Sequence, residues 1–193
     1  MERNKTIMNG FTLTEILIVL FIISLLTGIT FANYRQGGKM MALQRSAYKL
    51  AQDIRRAQEM AIGARECKEC TPVQIPPRYG IYSPKPTDST YLLFADVNND
   101  GLYNPAVDKI IATTSYESGV NFINASGTNC TSAWPPAGLR RVHLTFSPPD
   151  PKVELIVGWP PQLTDCAEII MTLSYGSVTT SVRINQAGLI EIQ

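Results

Sequence analysis

Histidine is almost absent from this chain: His143 is the only one in 193 residues. That removes the commonest general base and most metal-ligand sets. There is no glycine-rich phosphate loop and no serine elbow, and the carboxylates show no paired spacing. The sequence therefore reads as a non-enzyme with no cofactor. Charge is also scarce, at 17% of residues with a net of +1, so no global field points to nucleic acid or to an acidic substrate.

The scarcity is most pronounced near the start. From Thr12 to Ala32 the only ionisable side chain is Glu15. About 21 residues at roughly 1.5 Å each span about 30 Å, the thickness of a bilayer's hydrocarbon core. A carboxylate within such a segment costs on the order of 2.5 to 3.5 kcal/mol, so it calls for a partner charge or a function. The plainer alternative is a single-pass anchor whose Glu15 reaches the headgroups. A cleavable secretory signal has a shorter apolar region with small residues after it, whereas here the small residue, Gly10, comes first.

The segment Asn9-Gly-Phe-Thr-Leu-Thr-Glu-Ile-Leu-Ile18 resembles the amino terminus of the type IV prepilin family. The resemblance implies a leader at 1–10, cut between Gly10 and Phe11 by a prepilin peptidase that also methylates the new amine of Phe11. It implies that Glu15 pairs with the terminal amine of a neighbouring subunit. Physically, an amine and a carboxylate one helical turn apart in a low-dielectric bundle each favour a nearby opposite charge. Removing the leader's Glu2, Arg3 and Lys5 leaves acidic and basic side chains in balance. Loop charges do not settle orientation, because Arg35, Lys39, Arg45 and Lys49 follow the apolar run while only Arg3 and Lys5 precede it. The resemblance places the leader in the cytoplasm and the globular domain outside the bacterial inner membrane.

Beyond the apolar run, Met40, Leu43, Ala47, Leu50, Ile54, Ala57 and Ala61 recur at steps of three and four, an apolar stripe on a helix. A single helix of about fifty residues is expected, with a transmembrane half at 11–35 and an amphipathic half at 36–62. Gly37-Gly38 marks the place for a bend or local melting. Gly63 is a plausible stop. Short β-prone runs then fill one domain over 63–193: Tyr79–Tyr82, Tyr91–Ala95, Lys109–Thr114, Val120–Ile123, Arg141–Phe146, Lys152–Val157, Glu168–Ser174, Val178–Ile184 and Leu189–Ile192. The expected fold is α+β, with the long helix packed on antiparallel sheets in a type IV pilin-like layout.

Four cysteines past the apolar run suit an oxidising compartment and allow three pairings. The preferred one joins Cys67 to Cys70 and Cys130 to Cys166. The second bridge would tie a long loop to a strand, for roughly 3 to 4 kcal/mol in the chain-entropy model. A zinc site is disfavoured because the later cysteines stand alone beside one histidine. A redox Cys-x-x-Cys is disfavoured because Cys67 follows a helix and Thr71-Pro72 comes next.

Asp96, Asn98 and Asp100 before Gly101, then Asn104 and Asp108, place oxygens as a calcium loop does. The twelfth position is Val107, however, and strands flank the run, so an acidic turn between strands is the favoured reading. Arg140-Arg141 is a candidate DNA contact, weighed against solvated strand-end arginines.

A narrower likeness covers Leu50-Ala-Gln-Asp-Ile-Arg-Arg-Ala-Gln-Glu-Met-Ala-Ile62, Tyr79-Gly-Ile, Leu93-Phe-Ala-Asp-Val-Asn-Asn-Asp-Gly101 and Val182-Arg-Ile-Asn-Gln-Ala-Gly-Leu-Ile-Glu-Ile192. These resemble the H-type pseudopilins of type II secretion and the T-type minor pilins of type IV pili. The likeness implies a low-abundance subunit that primes or caps a pilus. Its implied partners are the prepilin peptidase, other pilin or pseudopilin subunits, and an inner-membrane assembly platform.

Overall fold

The computed structural model describes residues 11–85, 87–130, 141–148, 152–158 and 166–193. The chain divides into two units, Met1–Lys39 and Met40–Gln193. Helix α1 runs Leu13–Ile62, and Gly37 and Gly38 lie inside it as helical residues. The local melting expected there is not seen. One glycine pair costs only about 1 kcal/mol per residue in propensity, which the neighbouring helix formers offset. After Ile62, Gly63 and Ala64 close the helix end, donating backbone N–H to Glu59 O at 2.9 Å and Ala61 O at 3.0 Å.

In the second unit the helix buries one stripe: Leu43, Ala47, Leu50, Ile54, Ala57 and Ala61 are each at most 2% exposed. The alternation of alanine with larger side chains allows the sheets to approach the backbone closely. Nine strands follow: β1 Arg78–Ser83, β2 Thr90–Asp96, β3 Lys109–Ser115, β4 Asn121–Thr128, β5 Val142–Ser147, β6 Lys152–Val157, β7 Glu168–Tyr175, β8 Val178–Asn185 and β9 Ile190–Ile192. They form two antiparallel sheets, ordered β3-β2-β1-β5-β6 and β4-β7-β8-β9.

Side chains alternate across each strand, so one face of the larger sheet supplies Tyr79, Ile81, Tyr91, Leu93, Leu144, Phe146 and Leu155 to the core. The smaller sheet supplies Phe122, Ile169, Met171, Leu173, Val182 and Ile184 to the same cluster. Polar ties fix the helix on the strands. Tyr91 and Thr114 donate hydroxyl hydrogen bonds to Asp53 at 2.7 and 3.1 Å, and Glu117 N–H donates to Ser46 Oγ at 2.9 Å.

The other face of the larger sheet is buried too, with Tyr82, Phe94, Asp96, His143, Thr145 and Ile156 all shielded. Here the β2–β3 loop folds back over the strands: Tyr103 places its ring 4.9 Å from Tyr82 and 5.3 Å from Phe94. Gly80 makes room beneath this layer. A Cβ on it would lie 2.5 Å from Leu144 O and 2.9 Å from Phe94 Cε1. Gly80→Ala is therefore expected to destabilise the domain by about 1 to 3 kcal/mol in urea denaturation, and an unchanged midpoint would refute this packing.

Candidate functional site

Gly10 lies outside the described residues. Phe11 and Thr12 precede the helix, and Thr12 caps it. Its Oγ1 accepts the Glu15 N–H at 3.3 Å, and its carbonyl accepts the same group at 3.1 Å. A threonine at the cap with a glutamate three residues on is half of a capping box, a signal present in the sequence that would have singled out Thr12. Glu15 also stands in the first helical turn, where the macrodipole favours a negative charge.

Apart from the hydroxyls of Thr12 and Thr14, the described side chains beside Glu15 are apolar. Phe11, Ile16, Val19 and Leu20 line an open cleft with it, and from Leu13 to Phe31 every side chain is exposed. That is an unsolvable surface for water: Ile16, Leu17, Ile18, Leu20 and Phe21 are each 52–64% exposed. Among the described residues this is the one helix long and apolar enough to cross a membrane. The hydroxyls of Thr27 and Thr30 turn back onto Ile23 O and Leu26 O, at 2.7 and 3.0 Å, so neither presents an unpaired donor to lipid.

Of the candidate cation ligands, the fold brings together Asp96, Asp100 and Asp108, with one oxygen of each within 4.8 Å of the others. Asn98 donates to Asp100 Oδ2 at 2.7 Å, and Asn104 Oδ1 accepts Ala106 N–H at 3.0 Å. The two buried aspartates act as loop scaffolds. Asp96 accepts N–H groups from Asn99 and Gly101 at 2.7 and 2.9 Å, and Asp108 accepts those of Val97 and Asn104 at 2.9 and 2.7 Å. Each of their four oxygens thus meets a backbone donor. The pKa of both is still raised, because desolvation by burial, helped by repulsion from Asp100 on Asp96 and from Asp96 and Asp100 on Asp108, outweighs those hydrogen bonds.

His143 anchors the same loop, its Nδ1 accepting Tyr103 N–H at 2.9 Å. Nothing in the sequence marks that role, because the two residues lie 40 apart and meet only through the sheet register.

The cysteines pair as Cys67–Cys70 and Cys130–Cys166. Gly127 lies beneath the second bridge, where a Cβ would sit 2.6 Å from both sulfurs. Arg140 lies outside the described residues. Arg141 is half-buried just before β5, and its carbonyl accepts Gly158 N–H at 2.9 Å. Arg183 is paired with Glu168 and Glu191.

No curated protein and no solved structure matches the chain. Residues 8–31 match the family model of the prokaryotic N-terminal methylation motif. Such a motif implies processing by a prepilin peptidase, anchoring in the inner membrane and assembly with other pilins, and points to a structural subunit. With that motif on a lone-carboxylate apolar helix, and with the helix continuing into antiparallel sheets, the chain is a type IV prepilin-like protein.

Proposed function

We propose that the chain is a minor type IV pilin, cut between Gly10 and Phe11, methylated on Phe11 and drawn into a pilus by its apolar stem, in a priming or tip position. The observation that carries this reading is Glu15 standing alone among exposed apolar side chains within the motif. In lipid the carboxylate is costly; in a helix bundle a neighbour's terminal amine satisfies it and fixes the axial register. Mass spectrometry of the native amino terminus tests the first step. A methylated Phe11 terminus is expected, and an intact Met1 would instead mark a membrane-anchored binding module that never polymerises.

The second reading is a pseudopilin of type II secretion, which uses the same stem. Identification of the neighbouring subunit by crosslinking separates the two. DNA contact through Arg140 and Arg141 is a lesser alternative, favoured by no arrangement among the described residues.

For the loop at 96–108 we favour scaffolding over calcium binding, because the oxygens of Asp96 and Asp108 already serve backbone donors. Calcium titrated into the purified chain is expected to release no heat and to leave the melting temperature unchanged. A saturable signal would make Asp96, Asp100 and Asp108 a cation site.

A further inference from the structure

The two disulfides stand in different surroundings. Cys67 and Cys70 are 1% and 3% exposed and belong to the buried apolar cluster that the helix stripe and both sheets build. They lie on the short run past the end of α1, where Cys67 N–H donates to Gln74 O at 2.8 Å. Tyr79, itself buried, donates its hydroxyl to Arg65 O on the same run at 2.6 Å. Cys130 is half-exposed and follows the exposed Thr128 and Asn129 at the end of β4. Its partner Cys166 is buried just before β7. The bridge lies beyond the last β4–β7 pair, Thr128 opposite Glu168, and Ala167 N–H donates to Thr128 O at 3.0 Å beside it. Strands β5 and β6 intervene in the chain and belong to the other sheet, so it is folding that brings Cys130 and Cys166 together.

We infer that the bridges close in a fixed order, Cys67–Cys70 before the core seals and Cys130–Cys166 on the formed sheet, and that in the folded chain only the second stays open to thiol–disulfide exchange. Closing each pair takes two electrons and two protons from two thiols; an oxidant's disulfide accepts them and leaves as two thiols. The exchange passes through a mixed disulfide, so a foreign sulfur must reach one of the pair. Once the core is sealed, neither Cys67 nor Cys70 offers that approach. A separation of three residues also lets this pair meet with no tertiary structure. A separation of 36 costs more loop entropy until the β4–β7 register supplies the contact. Opening by a dithiol reverses the path at the half-exposed sulfur. A thiolate attacks Cys130, the S–S bond breaks, and Cys166 leaves and takes up a proton. The reductant's second thiol then displaces Cys130 and closes its own disulfide.

The test uses the full-length chain in detergent, reduced and unfolded in urea and then diluted into oxidised glutathione. Acid-quenched samples are alkylated and their bridges mapped by mass spectrometry. The one-bridge species is expected to hold Cys67–Cys70 in about tenfold or greater excess over Cys130–Cys166. On the folded chain, dithiothreitol should open Cys130–Cys166 about tenfold or more faster than Cys67–Cys70, and urea should remove the difference. Cys130→Ser combined with Cys166→Ser should leave the closing rate of the first bridge unchanged, because that bridge forms ahead of the fold. A one-bridge species holding Cys130–Cys166, equal opening rates on the folded chain, or a first bridge that closes slowly in the double variant overturns the inferred order.

Discussion

Glutamine in place of Glu15 is expected to lower recovery of the chain in sheared fibres by about a hundredfold or more, while leader removal and membrane insertion continue. The substitution keeps the length of the side chain and leaves the Thr12 cap untouched, because that bond is made by the Glu15 backbone N–H. What it removes is the negative charge, the only one between Thr12 and Ala32. A neighbour's terminal amine would then be buried without its counter-charge. Removing one partner of a buried pair costs about 3 to 5 kcal/mol, which sets the expected loss. In the membrane the variant is better tolerated than wild type, since an uncharged amide is cheaper to bury. The loss is therefore one of assembly and not of insertion, and fractionation distinguishes them. Wild-type recovery of the glutamine variant in fibres would sink the pairing mechanism.

The parts of the fold that follow local rules were legible. The helix stripe at three- and four-residue steps placed Leu43 to Ala61 on the core, although Met40, with which it began, is 52% exposed. Each of the nine β-prone runs overlaps a strand, that at 120–123 meeting only the start of β4, because alternation and turn residues act over a few positions. The expected antiparallel layout on one helix is the observed one. The acidic turn favoured for Asp96 to Asp108 fits the hydrogen bonds, since the donors to both aspartates are backbone N–H groups of the same loop, 3 to 11 residues away. What could not be read is the part played by His143, whose Nδ1 accepts the N–H of Tyr103 from 40 residues away. Such roles depend on register between strands distant in the chain, and no short-range pattern encodes them.

Acidification from about pH 6.5 to about 4 is expected to draw on that buried layer through His143, by roughly 3 kcal/mol of folding stability. Burial, reinforced by the neighbouring Arg141 guanidinium and only partly opposed by Asp100, lowers its pKa from 6.5 to about 4. The ring of Tyr82 lies 4.7 Å from the imidazole and that of Tyr103 lies 4.9 Å from Tyr82, and His143 is only 6% exposed, so an imidazolium there is poorly hydrated. Its Nδ1 also accepts Tyr103 N–H, so a proton there breaks the bond that holds the loop. Because the folded value is depressed, the unfolded chain takes up the proton first as pH falls, and stability drops through the window between the two values. Asp96 and Asp108 act with the opposite sign. Their folded pKa values are raised, so the strain of keeping them charged is relieved as pH falls through those values toward the unfolded one. Urea denaturation across this range should show the loss in wild type. His143→Asn, whose amide oxygen can still accept from Tyr103 without titrating, should abolish it and expose the gain from the two aspartates. Parallel pH profiles for wild type and this variant would mean that His143 is not the group through which acid reaches the fold.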